Sequence, residues 1–188
     1  MRSDRCILLF SRSPQAEARA KGLGGAGPLF RFARRRVERA ARQLEGVDLF
    51  EPVQRGSGFA ARLEDAFRQA RERGYRAIVA VPCDAPALGA RQLEAAFEAL
   101  DRAGMVLGPA PDGGVYLLGI AARTDDGAAW LPAAVRWRTR HVLDDLRAAR
   151  PGAALLPAWI DDVDDLAGLR RLAAEASGTG PAAGSAGS

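Results

Sequence analysis

The sequence predicts an α/β domain built on a mostly parallel sheet with helices on both faces. Three observations predict it. Apolar, strand-like runs alternate with helix-periodic segments along most of the chain. The first run, "RCILLF" (Arg5 to Phe10), is apolar on both faces, as a central strand of a parallel sheet must be. At 188 residues, 48% hydrophobic and 27% charged, the chain suits one domain with a full core.

The elements follow in order. After the first strand, "SRSPQAEARAKGLGGAGP" (Ser11 to Pro28) is rich in Gly and small polar residues and reads mainly as loop. Pro28 can open a long helix, because a proline in the first turn gives up no needed hydrogen bond. The inner positions of that helix are Leu29, Phe32, Ala33, Val37, Ala40, Ala41 and Leu44. "VDLFEPV" is a short second strand. Gly58 to Gly74 is a helix with Ala60, Leu63, Phe67 and Ala70 as its inner stripe. Gly74 suits its end. "YRAIVAVPCDAP" is a third strand, stopped by Pro82 and Pro86. Ala90 to Arg102 is a helix with Leu93, Ala96, Phe97 and Leu100 facing in. "GMVLGPA" and "VYLLGI" are strands flanking Asp112-Gly113-Gly114, a hairpin turn whose glycines can take positive φ. Thr139 to Ala149 is a helix with Val142, Leu143 and Leu146 inside, and "AALLPAWI" is a last strand. "DDVDDLAGLRRLAAE" is a final helix carrying Leu166, Leu169 and Leu172. The domain spans 1–175. From Ala176 onward, "ASGTGPAAGSAGS" has no large apolar residue and is expected to be a disordered tail.

Composition excludes several classes. No apolar run approaches the ~20 residues of a membrane-spanning helix. "CILLF" is too short for a signal-peptide core, so a cytoplasmic protein with no membrane partner is expected. The net charge of +4 is almost all Arg, Lys21 being the one lysine. In the densest basic run, Arg31 to Gln43, helical spacing turns the arginines to a solvated face, and no nucleic-acid motif accompanies them. No nucleic-acid partner is therefore expected, while an anionic small substrate would suit the charge. Cys6 and Cys83 sit in apolar surroundings and read as buried thiols. A homodimer is left open.

In open α/β sheets, ligands gather beyond the carboxyl ends of the strands. Four polar spots lie there: Ser11 to Lys21, Asp84, Asp112 and Asp161-Asp162. A strand-end carboxylate such as Asp84 is a good hard ligand for Mg²⁺ or Mn²⁺. It could equally cap the turn "CDAP". Asp161, Asp162, Asp164 and Asp165 suit a helix start, which does not exclude a metal-ligand role for Asp161. Asp112-Gly113-Gly114 is explained by its turn, although glycines also let a ligand approach the backbone. His141 has no partner at ligand spacing and receives no catalytic part. Trp137 is either core or a stacking surface for a base.

Taken together, these residues resemble a family. "GPAPDGGVYLLG" is similar to the pattern G-P-x-x-D-G-G-Y-Y-L-x-G of a bacterial glycosyltransferase-like family of unknown function, within the GT-A nucleotide-diphospho-sugar transferase superfamily. In the same order, "QRGSGFAARLEDAF" resembles Q-x-x-G-D-L-G-x-R, keeping Gln54 and Arg62. "VPCDAPAL" resembles G-x-D-x-P-x-L, "VRWRT" resembles W-S-T, and "WIDDVDDL" resembles D-V-D-T-P-E-D-L. The resemblance spans about residues 6 to 172. The first loop departs from the family's R-x-P-x-P-G-x-x-K-T-R-L. Arg12 and Pro14 remain, Glu17 takes the glycine position, and the basic cluster becomes Ala20-Lys21-Gly22. Lys21 or Arg19 could meet phosphate charge from a shifted register. Elsewhere Trp159, Ala60 and Val163 replace an Asp, a Gly and a Pro of the patterns.

The resemblance implies a single-domain, Rossmann-like GT-A sheet that binds a nucleotide diphosphate or triphosphate through Mg or Mn. It implies Asp84 and Asp161 as metal ligands and Asp84 and Asp112 as catalytic carboxylates. It points to Arg12, Pro14, Lys21, Arg62, Gly113, Gly114, Trp137 and Thr139 as nucleotide or substrate contacts. The implied activity is metal-dependent glycosyl transfer from a nucleotide-sugar donor to an unknown acceptor. Two alternatives stand beside it. One is a nucleotidyltransferase on the same fold. The other is a lapsed family member kept as a binding or partner protein because its first loop is altered.

Overall fold

The computed structural model describes residues 3–85, 87–121 and 131–160, together with Gly168, Arg170, Ala173 and Ala174. Along the chain run β1 (Arg5–Leu9), α1 (Pro14–Ala20), α2 (Gly27–Arg42), β2 (Val47–Phe50) and α3 (Phe59–Glu72). They are followed by β3 (Ala77–Val81), α4 (Ala90–Ala103), β4 (Met105–Pro109), β5 (Val115–Ala121), α5 (Val142–Ala149) and β6 (Ala154–Leu155).

The strands form one sheet in the order β2-β1-β3-β5-β4-β6. β1 pairs in parallel with β2 and β3, and β4 pairs in parallel with β6. Only β5 runs the other way, antiparallel to both β3 and β4. The sheet is thus mostly parallel, with β4 and β5 closing a hairpin around the Asp-Gly-Gly turn.

Strand pleating decides where each core lies, because successive side chains point to opposite faces. Ile7 and Leu9 of β1 and Val79 and Val81 of β3 pack with Val37 and Ala41 of α2 and Leu93, Phe97 and Leu100 of α4. Cys6, Leu8, Ile78 and Ala80 face the other way, onto Leu63, Phe67 and Ala70 of α3 and Val142, Leu143 and Leu146 of α5. Each helix therefore needs only one apolar stripe, and a fully buried side chain such as Phe67 contributes about 1.5–3 kcal/mol.

Several sequence expectations change. The segment read as loop holds α1, because Ser13 caps it by accepting a bond from the Ala16 N–H at 3.3 Å and Pro14 sits in its first turn. The glycines that gave the loop reading begin only at Gly22. In α2 the buried aromatic is Phe30, while Leu29 and Phe32 are partly buried against Ala18, Leu23 and Ala26. In α3 Ala60 is exposed, since Phe59 and Ala66 complete the inner face instead. The helix expected from Thr139 begins at Val142, and the last strand shortens to Ala154–Leu155. Of the final helix, Gly168, Arg170, Ala173 and Ala174 are described and helical. Pro86, Asp161, Leu166, Leu169, Leu172 and the 176–188 tail lie outside the described residues. Among those described, no helix is long and apolar enough to cross a membrane.

Candidate functional site

The chain leaves β1 toward β2 on one side, and later returns to β3 on the other side of β1. That reversal opens a crevice past the carboxyl ends of β1 and β3, where ligands bind in such sheets. A cavity of about 470 Å³ lies there. Phe10 to Arg12 line it from the end of β1, Pro82 and Asp84 from the end of β3, and Ala110, Asp112 and Gly114 from the hairpin. Lys21, Arg62, Trp137 and Thr139 complete the set of sequence-predicted residues on its wall. Pro14 and Gly113 are not among the lining residues, and Asp161 is outside the described ones.

Asp84 is 6% exposed. Its Oδ2 accepts from Lys21 Nζ at 2.5 Å, and the ammonium also lies 5.9 Å from the centre of the Phe30 ring. Asp84 Oδ1 is buried with no hydrogen-bond partner among the described residues, and so is the hydroxyl of Tyr116. Ser11 Oγ is the third such atom, and its neighbour is the Cys83 thiol, a weak partner at best. All three belong to residues lining the cavity. Native interiors leave few buried polar atoms unsatisfied, and those that remain call for an explanation.

The altered first loop contributes two of the lining side chains. On a helix, residues four apart share a face. Glu17 and Lys21 are so placed and both line the cavity, whereas Arg19 is exposed and does not. Burial and then the Asp84 charge push the Glu17 carboxyl above its usual range, while Lys21, Arg12 and a bond from the Arg12 backbone N–H oppose the shift. A raised carboxyl pKa means that the folded chain holds the proton more tightly than the unfolded chain. The stability it confers is complete below the unfolded carboxyl value and drains away as pH rises through the raised one. Glu17→Gln is therefore expected to gain more in Tm over the natural chain at pH 7 than at pH 4. Equal gains at both values, read by thermal unfolding, would contradict this environment for Glu17.

An aromatic row crosses the cavity wall. Phe10 meets Phe59 edge-on at 5.6 Å, and Phe59 meets Trp137 at 5.4 Å. Gln54 donates to the Ser11 carbonyl at 2.8 Å and ties the segment after β2 to the end of β1. The 136–141 loop is anchored by Arg136, which bonds Asp145 from Nε at 2.9 Å and Nη2 at 2.7 Å and holds that carboxyl down to about 2. Thr139 Oγ1 donates to the Arg136 carbonyl at 2.7 Å. Asp112 is exposed, and its Oδ1 accepts from Gly114 N–H at 2.8 Å, the local turn role expected of it. Tyr116 lies against Gly108, where a Cβ would come within 2.5 Å of ring atom Cζ. Burial pushes its hydroxyl up to about 12, so it stays protonated and can donate. Burial raises Cys83 to about 12, and Cys6 is also raised, so both remain inert free thiols.

Sequence reasoning placed the Ser11–Lys21 stretch at the strand ends but gave Ser11 and Glu17 no role in the site, and it placed neither Tyr116 nor Arg138 and Arg140 there. A helix begun at Pro14 would have exposed the Glu17–Lys21 spacing, but the loop reading concealed it. Nothing in the sequence marks a tyrosine hydroxyl as partnerless. Among the described residues, no group of three or more His, Cys, Asp or Glu side chains is arranged to hold a metal ion. Asp84 Oδ1 fits one hard cation that takes its remaining ligands from substrate oxygens and water.

A family model described as "Uncharacterized protein conserved in bacteria (DUF2064)" matches residues 28–139. Among solved structures, the chain is similar to a candidate nucleotide-diphospho-sugar transferase from Desulfovibrio desulfuricans G20. The two are 24% identical, with a TM-score of 0.70 over 86% of this chain and 83% of the other. It is also similar to a homolog of Mycobacterium tuberculosis rv0371c from Mycobacterium sp. strain JC1, at 17% identity and a TM-score of 0.50 over 93% and 98%. At these identities the likeness is one of fold. No curated protein matches.

Proposed function

The chain belongs to this uncharacterized bacterial family, and from that premise we propose that it is a metal-dependent glycosyltransferase using a nucleotide-diphosphate-sugar donor. The fold is that of nucleotide-diphospho-sugar transferases. One observation carries the reading. Among the described residues, the three buried polar side-chain atoms without hydrogen-bond partners, on Ser11, Asp84 and Tyr116, all belong to residues on the wall of one cavity at the strand ends.

In this reading Arg12 and Lys21 meet the donor's diphosphate, with Pro14 shaping the first loop. Asp84 would hold a Mg or Mn ion together with Asp161, and the ion would supply positive charge to the leaving diphosphate. Trp137 and Thr139 form the wall beside the sugar, and Gly113 and Gly114 hold the turn that carries Asp112. The bond from the anomeric carbon to the diphosphate breaks, and the nucleoside diphosphate leaves with its electron pair. The acceptor hydroxyl oxygen forms the new bond, and its proton passes to the Asp112 carboxylate.

A second reading, a binding protein without turnover, is favoured by Glu17, whose carboxylate faces the space that phosphates would fill. Calorimetric titration with uridine and guanosine diphosphate sugars plus Mn²⁺ separates the two. The transferase reading expects heat from the natural chain with at least one donor, lost in Asp84→Ala. Silence from the natural chain with every donor, and heat appearing only in Glu17→Gly, would overturn it in favour of the second.

A further inference from the structure

Three arginines on the cavity wall, Arg62, Arg138 and Arg140, make no ion pair or hydrogen bond from the guanidinium among the described residues.

Their places are linked. Arg62 lies one helical turn beyond Phe59, on the same face of α3. Phe59 packs on Trp137, and Arg138 follows Trp137 directly. Arg140 is joined to the hairpin turn, since a Cβ on Gly113 would lie 2.1 Å from the Arg140 carbonyl oxygen. All three line the cavity that Asp112 also lines. Lys21 instead is bonded to Asp84, beyond the end of β3, and Arg12 lies beside Glu17.

Arg138 carries a second signal. Its φ is 63°, and it is the one residue other than glycine with positive φ among those described. A non-glycine side chain in the left-handed region is strained, and such strain concentrates at functional sites. A glycine would relieve it, yet the position holds an unpaired guanidinium on the cavity wall.

We infer that the acceptor carries a phosphate group, and that Arg62, Arg138 and Arg140 form the subsite that holds it beside Asp112. Guanidinium groups bind phosphate through parallel charge-assisted bonds, and several together suit a dianion better than a carboxylate. This rests on the transferase reading for the word acceptor. The subsite itself does not require it.

The test uses the full chain with nucleoside diphosphate added to fill the Lys21 end. Inorganic phosphate, glycerol phosphate and lactate are titrated in separate arms. Phosphate and glycerol phosphate are expected to bind, and lactate to bind more weakly. Arg138→Gly and Arg140→Ala should each weaken glycerol phosphate roughly tenfold or more, the scale of a lost charge-assisted hydrogen bond. Nucleoside diphosphate affinity should change less than twofold. Arg138→Gly should melt no lower than the natural chain, because glycine suits that φ. Equal loss of nucleoside diphosphate and glycerol phosphate affinity would overturn the subsite, since the arginines would then serve the donor. So would lactate binding as tightly as phosphate, or no phosphate binding in the natural chain. If nucleoside diphosphate never binds, but phosphate binds and both variants lose it, the donor reading fails and the subsite stands.

Discussion

Gly113→Ala is expected to destabilise the chain by about 3 kcal/mol, combining left-handed backbone strain of about 1–2 with overpacking of about 1–3. Gly113 has φ 86°, and its new methyl would meet the Arg140 carbonyl oxygen at 2.1 Å and the carbonyl carbon at 2.9 Å. Those are backbone atoms, so no side-chain rotation relieves the contact. The turn is also bonded in place. Gly113 N–H donates to the Ala110 carbonyl at 3.0 Å, and the Gly113 carbonyl accepts from Leu143 at 3.0 Å. Moving the turn therefore moves the start of α5 and the Trp137–Arg140 wall with it. In a domain of this size the loss corresponds to a fall in Tm of roughly 10 °C. Gly114→Ala is the control. Its φ is ordinary, and its Cβ would meet the Asp112 carboxylate at 3.0 Å, a side chain able to swing aside. A loss of about 1 kcal/mol or less is expected there. Thermal unfolding that finds the two variants alike would show that the turn is not locked against the 136–141 loop.

The same turn shows what the sequence made legible. Asp-Gly-Gly between two apolar runs specified a hairpin and the need for positive φ, because turn chemistry is local. It did not specify that Gly113 abuts Arg140, because that contact joins segments far apart in the chain. The pattern was similar elsewhere. Every inner residue that periodicity named in α4 and α5 is buried, with only Ala99 of α4 missed, since each of these helices covers one sheet face with one stripe. It failed at α1, where seven residues carry too little apolar pattern to outweigh the glycines beside them. Asp84 was legible as a strand-end carboxylate. That Lys21 reaches it was not, because only the helical geometry of α1 brings the end of that segment back over β3.

Lys21→Met is expected to cost about 3–5 kcal/mol, the penalty for stripping the partner from a buried charge. Both side chains are nearly enclosed, at 12% exposure for Lys21 and 8% for Asp84. The Asp84 carboxylate would then be buried with its orphan Oδ1 and no ammonium on Oδ2. Asp84→Asn should cost less, because the long lysine stem can carry its ammonium toward the open cavity. The double variant should be more stable than Lys21→Met alone, which a double-mutant cycle measures directly. Added Mn²⁺ separates a structural ion pair from a cation site. If Asp84 holds the ion, Mn²⁺ raises the Tm of the natural chain, raises that of Lys21→Met further, and leaves Asp84→Asn unchanged. The larger gain in Lys21→Met follows because the ion replaces the missing ammonium as the carboxylate's counter-charge. Equal stabilisation of Asp84→Asn and the natural chain would put the cation elsewhere. The Lys21–Asp84 pair would then be an element of the fold rather than of the chemistry.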